Sequence, residues 1–255
     1  MKERWTDLLG TAERLLPSYL AAVGDLSHAH KGIRRSELFF FYTLVAPGNP
    51  ARIIESGRAR GQSTIVLSRL FPETAIVSLE SDAGSPDAKV AAERLRDCRN
   101  VDCRFGDSLL LLPEMVEQKD VVLIDGPKDF RALKLAFRLL RTGKPSAVFV
   151  HDLWLGSPPR HFVDRHLPSA FLSDDARWVE RHAQLDSRKN IPPRDSSGKK
   201  TAYGATLGCF QAGAENYGRR LRQCSAAQGA DRLRETVRKI LRRPARVRPR
   251  DFAAP

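Results

Sequence analysis

The chain is predicted to fold as a doubly wound α/β domain: a mostly parallel sheet with helices on both faces, an N-terminal helical layer and an antiparallel C-terminal strand pair. Three observations carry this. From Ala51 onward short apolar runs alternate with helical periodicities. The first run, Ile53-Ile54, feeds straight into a glycine-punctuated turn, and each strand of the alternating stretch ends in a residue capable of chemistry. Strands that alternate with helices pair in parallel and are covered on both faces. Such sheets bind ligands outside the carboxyl ends of their strands.

Residues 1 to 47 read as helical, with Leu8, Leu9, Ala12, Leu15, Leu16 and Leu20 recurring at spacings of three and four. Pro17 is expected to break or kink that run. A second helix fits Ser36 to Val45, with Ser36 as N-cap and the turn Pro47-Gly48-Asn49-Pro50 as its stop. The series then runs through strand Ile53-Ile54, helix Ser63 to Leu70, strand Ala75 to Leu79, helix Ala88 to Arg96 and strand Val101 to Arg104. It continues with a helix near Leu109 to Val116, strand Val121 to Ile124, helix Phe130 to Leu140 and strand Ala147 to Val150. Beyond Trp154 the alternation weakens. Arg177 to Leu185 and Tyr203 to Phe210 are expected to be antiparallel strands, joined by a polar loop, Asp186 to Lys200, that could cover a site. A last helix is expected over Asp231 to Arg243, with Leu233, Val237, Ile240 and Leu241 on one side. These readings divide the chain into a helical cap (1–48), an α/β domain (49–212) and a basic helix and tail (213–255).

Hydrophobic residues at 42% and charged residues at 29% are the balance of a globular domain rather than a disordered chain. The longest apolar candidate, Leu38 to Ala46, is far short of the roughly 18 residues that span a bilayer and is expected to be a buried helix. The N-terminus lacks the apolar core of a signal peptide, which points to the cytoplasm. Cys98, Cys103, Cys209 and Cys224 lack the C-x-x-C spacing of a zinc site and are too few for a disulfide framework, so free thiols are expected. Net charge is +13, and the segment from Asn216 to Pro255 holds twelve basic residues against three acids, about two-thirds of that surplus. A tail of this kind is a solvated segment or a docking strip for a polyanion such as nucleic acid.

The stretch Arg52 to Thr64 carries the chemistry. Gly57 and Gly61 permit a tight turn and close approach. A helix beginning near Ser63 and Thr64 offers unpaired N–H groups to anionic oxygens, while Glu55 at the strand tip can receive a cation. Together these suit a zwitterion such as an amino acid. Glu80, Asp107, Asp125, His151 and Asp152 end the later strands. Glu80 follows Gly57 by 23 residues, close to the interval at which a second-strand carboxylate accepts the hydroxyls of a ribose. A dinucleotide fingerprint needs glycines at offsets zero, two and five; here those positions hold Gly57, Ala59 and Gln62.

Glu-x-Gly-x-x-x-Gly-x-Ser resembles the first motif of the class I S-adenosylmethionine-dependent methyltransferases, in particular the branch that includes the catechol-type O-methyltransferases. The resemblance spans roughly residues 37 to 212 and implies a Rossmann-like sheet. It implies that Glu55, Gly57, Gly61 and Ser63 surround the methionine part of S-adenosylmethionine, that Glu80 holds its ribose, and that Asp107 and Ser108 lie beside adenine. In that branch an aspartate after the fourth strand binds a divalent cation such as magnesium, and a lysine three residues on acts as general base. Asp125-Gly126-Pro127-Lys128 has both. The second metal aspartate matches Asp152, and Leu153 stands where the branch has an asparagine ligand. Asp-Gly-Pro-Lys followed by His-Asp also looks like methyltransferases that act on sugars of polysaccharides. His151 and Trp154 are candidates for the acceptor pocket, and period-two alternation expects His151 and Asp152 to point oppositely. The expected reaction is methylation of a hydroxyl on a small molecule or sugar. An RNA-modifying methyltransferase that uses the basic tail, and a non-catalytic binding protein of the same fold, are the alternatives.

Overall fold

The computed structural model describes residues 2–27, 32–186 and 206–241. Its strands are β1 (Arg52–Ser56), β2 (Ala75–Glu80), β3 (Val101–Phe105), β4 (Val121–Ile124), β5 (Ala147–Val150), β6 (Phe171–Leu172) and β7 (Gly208–Gln211). Its helices are α1 (Lys2–Val23), α2 (Arg35–Val45), α3 (Gln62–Leu70), α4 (Pro86–Leu95), α5 (Ser108–Met115), α6 (Asp129–Leu140), α7 (Pro158–His166), α8 (Ala176–His182) and α9 (Tyr217–Leu241). Among the described residues the strands form one sheet in the order β3-β2-β1-β4-β5-β7-β6. The first five are parallel, and β7 runs antiparallel to both β5 and β6. This is the expected Rossmann-like, mostly parallel sheet. Its order reverses between β1 and β4, which pair from Ile53↔Val121 to Ser56↔Ile124, so the ligand crevice belongs at their carboxyl ends.

Successive strand residues face opposite sides, and the two faces bury separate cores. Ile53, Ile76, Leu123 and Phe149 pack with α1, α2 and α3. Ile54, Val77, Ile124 and Val150 pack with α5, α6, α7 and the start of α9. Leu38, Phe39, Phe40 and Phe41 are all fully buried, as a helix that is apolar on every side must be. β3 lies at the sheet edge, where Asp102 and Arg104 pair across exposed backbone, a charged edge that resists further strand addition.

Several elements differ from expectation. α1 continues through Pro17. The missing N–H costs about 3 kcal/mol, but Trp5, Leu8, Ala12, Tyr19 and Val23 are buried on both sides of it, and each large apolar side chain contributes about 1.5–3 kcal/mol. The Tyr19 hydroxyl also donates to the Arg35 carbonyl (2.7 Å). α2 starts one residue early. Ser36 lies inside the helix with its hydroxyl bonded to Asp186 (2.5 Å), while the Glu37 carboxylate accepts the Arg34 N–H (2.9 Å). Residues 177–185, expected as a strand, form α8 and a 3-10 turn. Trp178 and His182 are one helical turn apart and pack on Phe39, and Asp175 caps the helix by accepting the Arg177 N–H (3.0 Å). The short β6 takes the strand's place beside β7. α9 begins at Tyr217 rather than Asp231 because Tyr217 stacks on Phe137 (5.8 Å) and Cys224 is fully buried. Leu233 (66%) and Val237 (46%), on the side of that helix expected to be apolar, are exposed. Most of the loop expected at 186–200, the start of the strand expected at 203–210, and residues 242–255 of the tail lie outside the described residues. No helix among the described residues is long and apolar enough to cross a membrane.

Candidate functional site

The β1–α3 turn is held by its own packing. Gly57 has φ +93°, and a Cβ there would lie 2.7 Å from Gly126 N and 2.9 Å from Asp125 C, so the turns after β1 and β4 touch only because Gly57 has no side chain. Gly61, at φ +70°, would press a Cβ to 3.0 Å from Leu95 of α4. Both glycines were expected for close approach to a ligand. The structure adds that protein, rather than ligand, already occupies the space a Cβ would need.

Glu55 is placed differently from expectation. Period-two alternation points it to the same side as Ile53, beneath α3, where it is fully buried. Its carboxylate accepts hydroxyl donors from Ser63, Thr64 and Ser78, the last at 2.7 Å. Burial raises its pKa above the usual carboxylate value, with those three hydroxyls opposing. Glu55 and Ser63 therefore brace the turn from behind. Arg58, not singled out in the sequence, does similar work: it is 3% exposed, donates to the Ser78 carbonyl (2.5 Å), and lies over the Phe105 ring (4.8 Å).

In front of the turn lies a cleft of about 330 Å³, lined among others by Gly57, Glu80, Asp107, Ser108, Gly126 and Arg131. Glu80 is at its rim. One carboxylate oxygen accepts the Ala59 N–H (2.8 Å) and the other the Ser81 N–H (2.7 Å), which leaves lone pairs on both for further donors. Asp107 caps α5 by accepting the Leu109 N–H (2.8 Å), and the Ser108 hydroxyl donates to the Gly126 carbonyl (3.2 Å). Glu80, Asp107, Ser108 and Gly57 thus share one cleft; Glu55, Gly61 and Ser63 are not among the residues lining it.

One strand over, Asp125, Lys128, His151 and Asp152 converge. Alternation along β4 and β5 sends Asp125 and His151 to the α2 side, where His151 Nδ1 is 2.7 Å from Asp125 Oδ1 and Nε2 is 3.3 Å from Glu37 Oε2. Asp152 does not point away as alternation predicted. β5 ends at Val150, and Asp152 adopts φ +62°, which turns its carboxylate back so that Oδ1 lies 3.4 Å from His151. Lys128 Nζ sits between the two aspartates, 2.5 Å from Asp125 and 2.7 Å from Asp152. Trp154 is half-buried after the buried Leu153 and is not among the residues lining the cleft.

The charges follow from this geometry. Burial alone would lower His151, but Glu37 and Asp125 outweigh it and the imidazole pKa is pushed up to about 10. Burial would raise Asp125, yet His151 and Lys128 hold it below the ordinary carboxylate range. Lys128 also runs against burial: the two aspartates raise its pKa, which favours the ammonium form. Glu37, missed in the sequence because it lies in a helix far along the chain from the strand ends, is 1% exposed and also accepts the Thr206 N–H (2.6 Å). Burial raises it and His151 outweighs that, so it stays ionised.

Asp125, His151 and Asp152 each offer an atom within 4.8 Å of the others, a spacing that suits an ion. The donor set fits a divalent cation poorly. Such ions take six or more oxygens, whereas Lys128 already bridges both carboxylates and the Leu153 side chain carries no oxygen.

No family model matches the chain, and no curated protein matches it. Among solved structures it is similar to cofactor-bound Rv0187 from MTB, with 22% identity and a TM-score of 0.47 over 78% of this chain and 89% of that one. It is also similar to an O-methyltransferase from Bacillus cereus in complex with SAH, with 21% identity and a TM-score of 0.45 over 79% and 90%. A Staphylococcus aureus protein that carries the name of a caffeoyl-CoA O-methyltransferase matches at 19% identity and a TM-score of 0.41; the match covers 56% of this chain and 66% of that one, just under two thirds.

Proposed function

We propose that this chain is an S-adenosylmethionine-dependent methyltransferase that transfers a methyl group to a hydroxyl of a small molecule or sugar in the cytoplasm. The observation that carries this is the adjacency of two features at the switch point: a cleft with Glu80 at its rim and, across the Gly57–Gly126 contact, a cluster of charged side chains at the ends of β4 and β5. The cleft suits a nucleoside whose ribose hydroxyls donate to Glu80. The turn lacks the glycine pattern that a dinucleotide requires.

Methyl transfer is an in-line displacement: the acceptor oxygen forms a bond to the methyl carbon as the carbon–sulfur bond breaks, and S-adenosylhomocysteine leaves. The protein's work is to align the two partners and to take the hydroxyl proton. In this reading the Lys128 ammonium, 43% exposed at the mouth of the cluster, donates to the acceptor oxygen and stabilises the charge that develops on it. Asp125, whose one oxygen is shared by Lys128 and His151, orients both, and Asp152, paired with Lys128 through one oxygen and with its other oxygen 3.4 Å from His151, accepts the proton. His151, clamped between Glu37 and Asp125, fixes the aspartate's orientation.

The test is calorimetric titration with S-adenosylmethionine and with NAD, followed by radiolabelled methyl transfer to a panel of hydroxyl acceptors. Binding of S-adenosylmethionine alone and transfer lost in Asp152→Asn support the proposal. Saturable NAD binding without S-adenosylmethionine binding refutes it, and cofactor binding with no transfer to any acceptor favours the non-catalytic reading. A polyanion docked on the tail is a separate reading. Its test removes residues 242–255 only, because Tyr217 and Cys224 of α9 belong to the core.

A further inference from the structure

We infer that the Lys128 ammonium takes the position a divalent cation would need, so that the site works without metal and holds its acceptor through a single oxygen. The inference rests on the methyltransferase reading for the identity of the acceptor. The cation chemistry stands on the residues themselves.

Nζ lies 2.5 Å from Asp125 and 2.7 Å from Asp152, bridging the two carboxylates as a metal would. An ion entering there would have to break both ion pairs and expel a positive charge. The other nearby groups do not help it. Both ring nitrogens of His151 already face carboxylates, Nδ1 toward Asp125 and Nε2 toward Glu37, so neither is directed at open space. Leu153 is 1% exposed and packs toward Gly208, where its Cδ1 would be 2.6 Å from an added Cβ; the space beside Gly208 is filled by hydrocarbon. Two carboxylates with a bridging ammonium are a complete unit for a monovalent organic cation and an incomplete one for magnesium or manganese.

Acceptor recognition follows from the donor count. A lysine ammonium has three N–H donors and no more. Two are spent on the aspartates, so one is left for the acceptor oxygen. A metal with open positions can chelate two neighbouring oxygens at once. One remaining N–H cannot, and an isolated hydroxyl satisfies it as well as a vicinal diol does.

The full-length protein, treated with chelator and dialysed, is titrated with manganese by calorimetry and by electron paramagnetic resonance, with no methyl donor present. No saturable binding up to millimolar metal is expected, and Lys128→Met, which keeps the stem and removes the charge, is expected to bind one manganese at least tenfold more tightly than the parent. One manganese bound per parent chain, lost in Asp152→Asn, would overturn the inference. So would a folded Lys128→Met or Lys128→Gln variant with no gain in metal affinity. If transfer activity is found, monohydroxyl and vicinal-diol acceptors of matched size should differ less than fivefold in kcat/KM, and a diol preference above a hundredfold overturns the single-oxygen part. Failure of S-adenosylmethionine to bind would remove the methyltransferase reading, while the metal titration would still decide whether Lys128 excludes the ion.

Discussion

His151 and Glu37, separated by 114 positions in the chain, meet with Nε2 3.3 Å from Oε2 in a setting where the glutamate is 1% exposed. This pair ties the N-terminal helix α2 to the end of β5, and through Asp125 to the end of β4. A buried ion pair of this kind is costly to break from one side, because the remaining charge is stranded away from water.

The pair predicts a pH dependence of stability. The His151 pKa is raised on folding, from 6.5 to about 10. Its contribution is therefore complete below the unfolded value near 6.5 and is lost as pH rises through about 10. Urea unfolding measured from pH 6 to pH 10 should show a declining free energy over that window. In Glu37→Gln the imidazole titration followed by NMR should move toward the ordinary histidine value, and stability at pH 6 should fall by about 3 kcal/mol. An unchanged titration would show that Glu37 does not hold the charge.

Glu55→Ala should destabilise the chain by about 2–4 kcal/mol, because it leaves the buried hydroxyls of Ser63, Thr64 and Ser78 without their shared acceptor. Glu55→Gln keeps an acceptor oxygen and should cost less than half as much. Equal losses by chemical denaturation would argue that volume, not hydrogen bonding, is what the site needs.

Gly57→Ala should be worse than its single methyl suggests. The residue combines φ +93° with backbone atoms at 2.7 and 2.9 Å from the added carbon, so the turns after β1 and β4 must separate. A loss of about 2–4 kcal/mol is expected from strain and overpacking, read by thermal unfolding. Gly143→Ala, also at positive φ (+71°) but with nothing near the added carbon, isolates the conformational part and should cost about 1 kcal/mol.

Glu80→Ala tests the cleft. Its carboxylate lies at the rim and shows no dependence on the core, so the fold should hold while affinity for S-adenosylhomocysteine falls about tenfold or more, the worth of a charge-assisted bond to the sugar. Calorimetry that finds unchanged affinity would remove Glu80 from the site.

The parallel strands were legible because each is a short apolar run bounded by turn residues, and β4 and β5 fall where the pattern put them. Glu80, Asp107, Ser108, Asp125 and Lys128 were legible because strand ends in such a sheet face the crevice. What local pattern could not supply was long-range geometry. Glu55 reads as a ligand group until the hydroxyls of α3 and β2 are seen to enclose it. Asp152 reads as facing away until its positive φ turns it back. Glu37 carries no local signal of a site role until β5 brings His151 to it. Lys128 reads as a base until two aspartates are seen to flank its ammonium. In α8 and α9 aromatic and thiol contacts made across the fold outweighed the weak local signals of Arg-rich stretches.

The abutment of Gly57 on Gly126 bears on how the protein can diversify. Two turns with no slack between them form a shared joint, and a change that enlarges the space on one side is transmitted at once to the other. New acceptors are therefore more readily accommodated by altering the segment after Leu153, which follows the charged cluster in the chain but is free of that joint. Variation among descendants of this chain should concentrate there, with the paired glycines left alone.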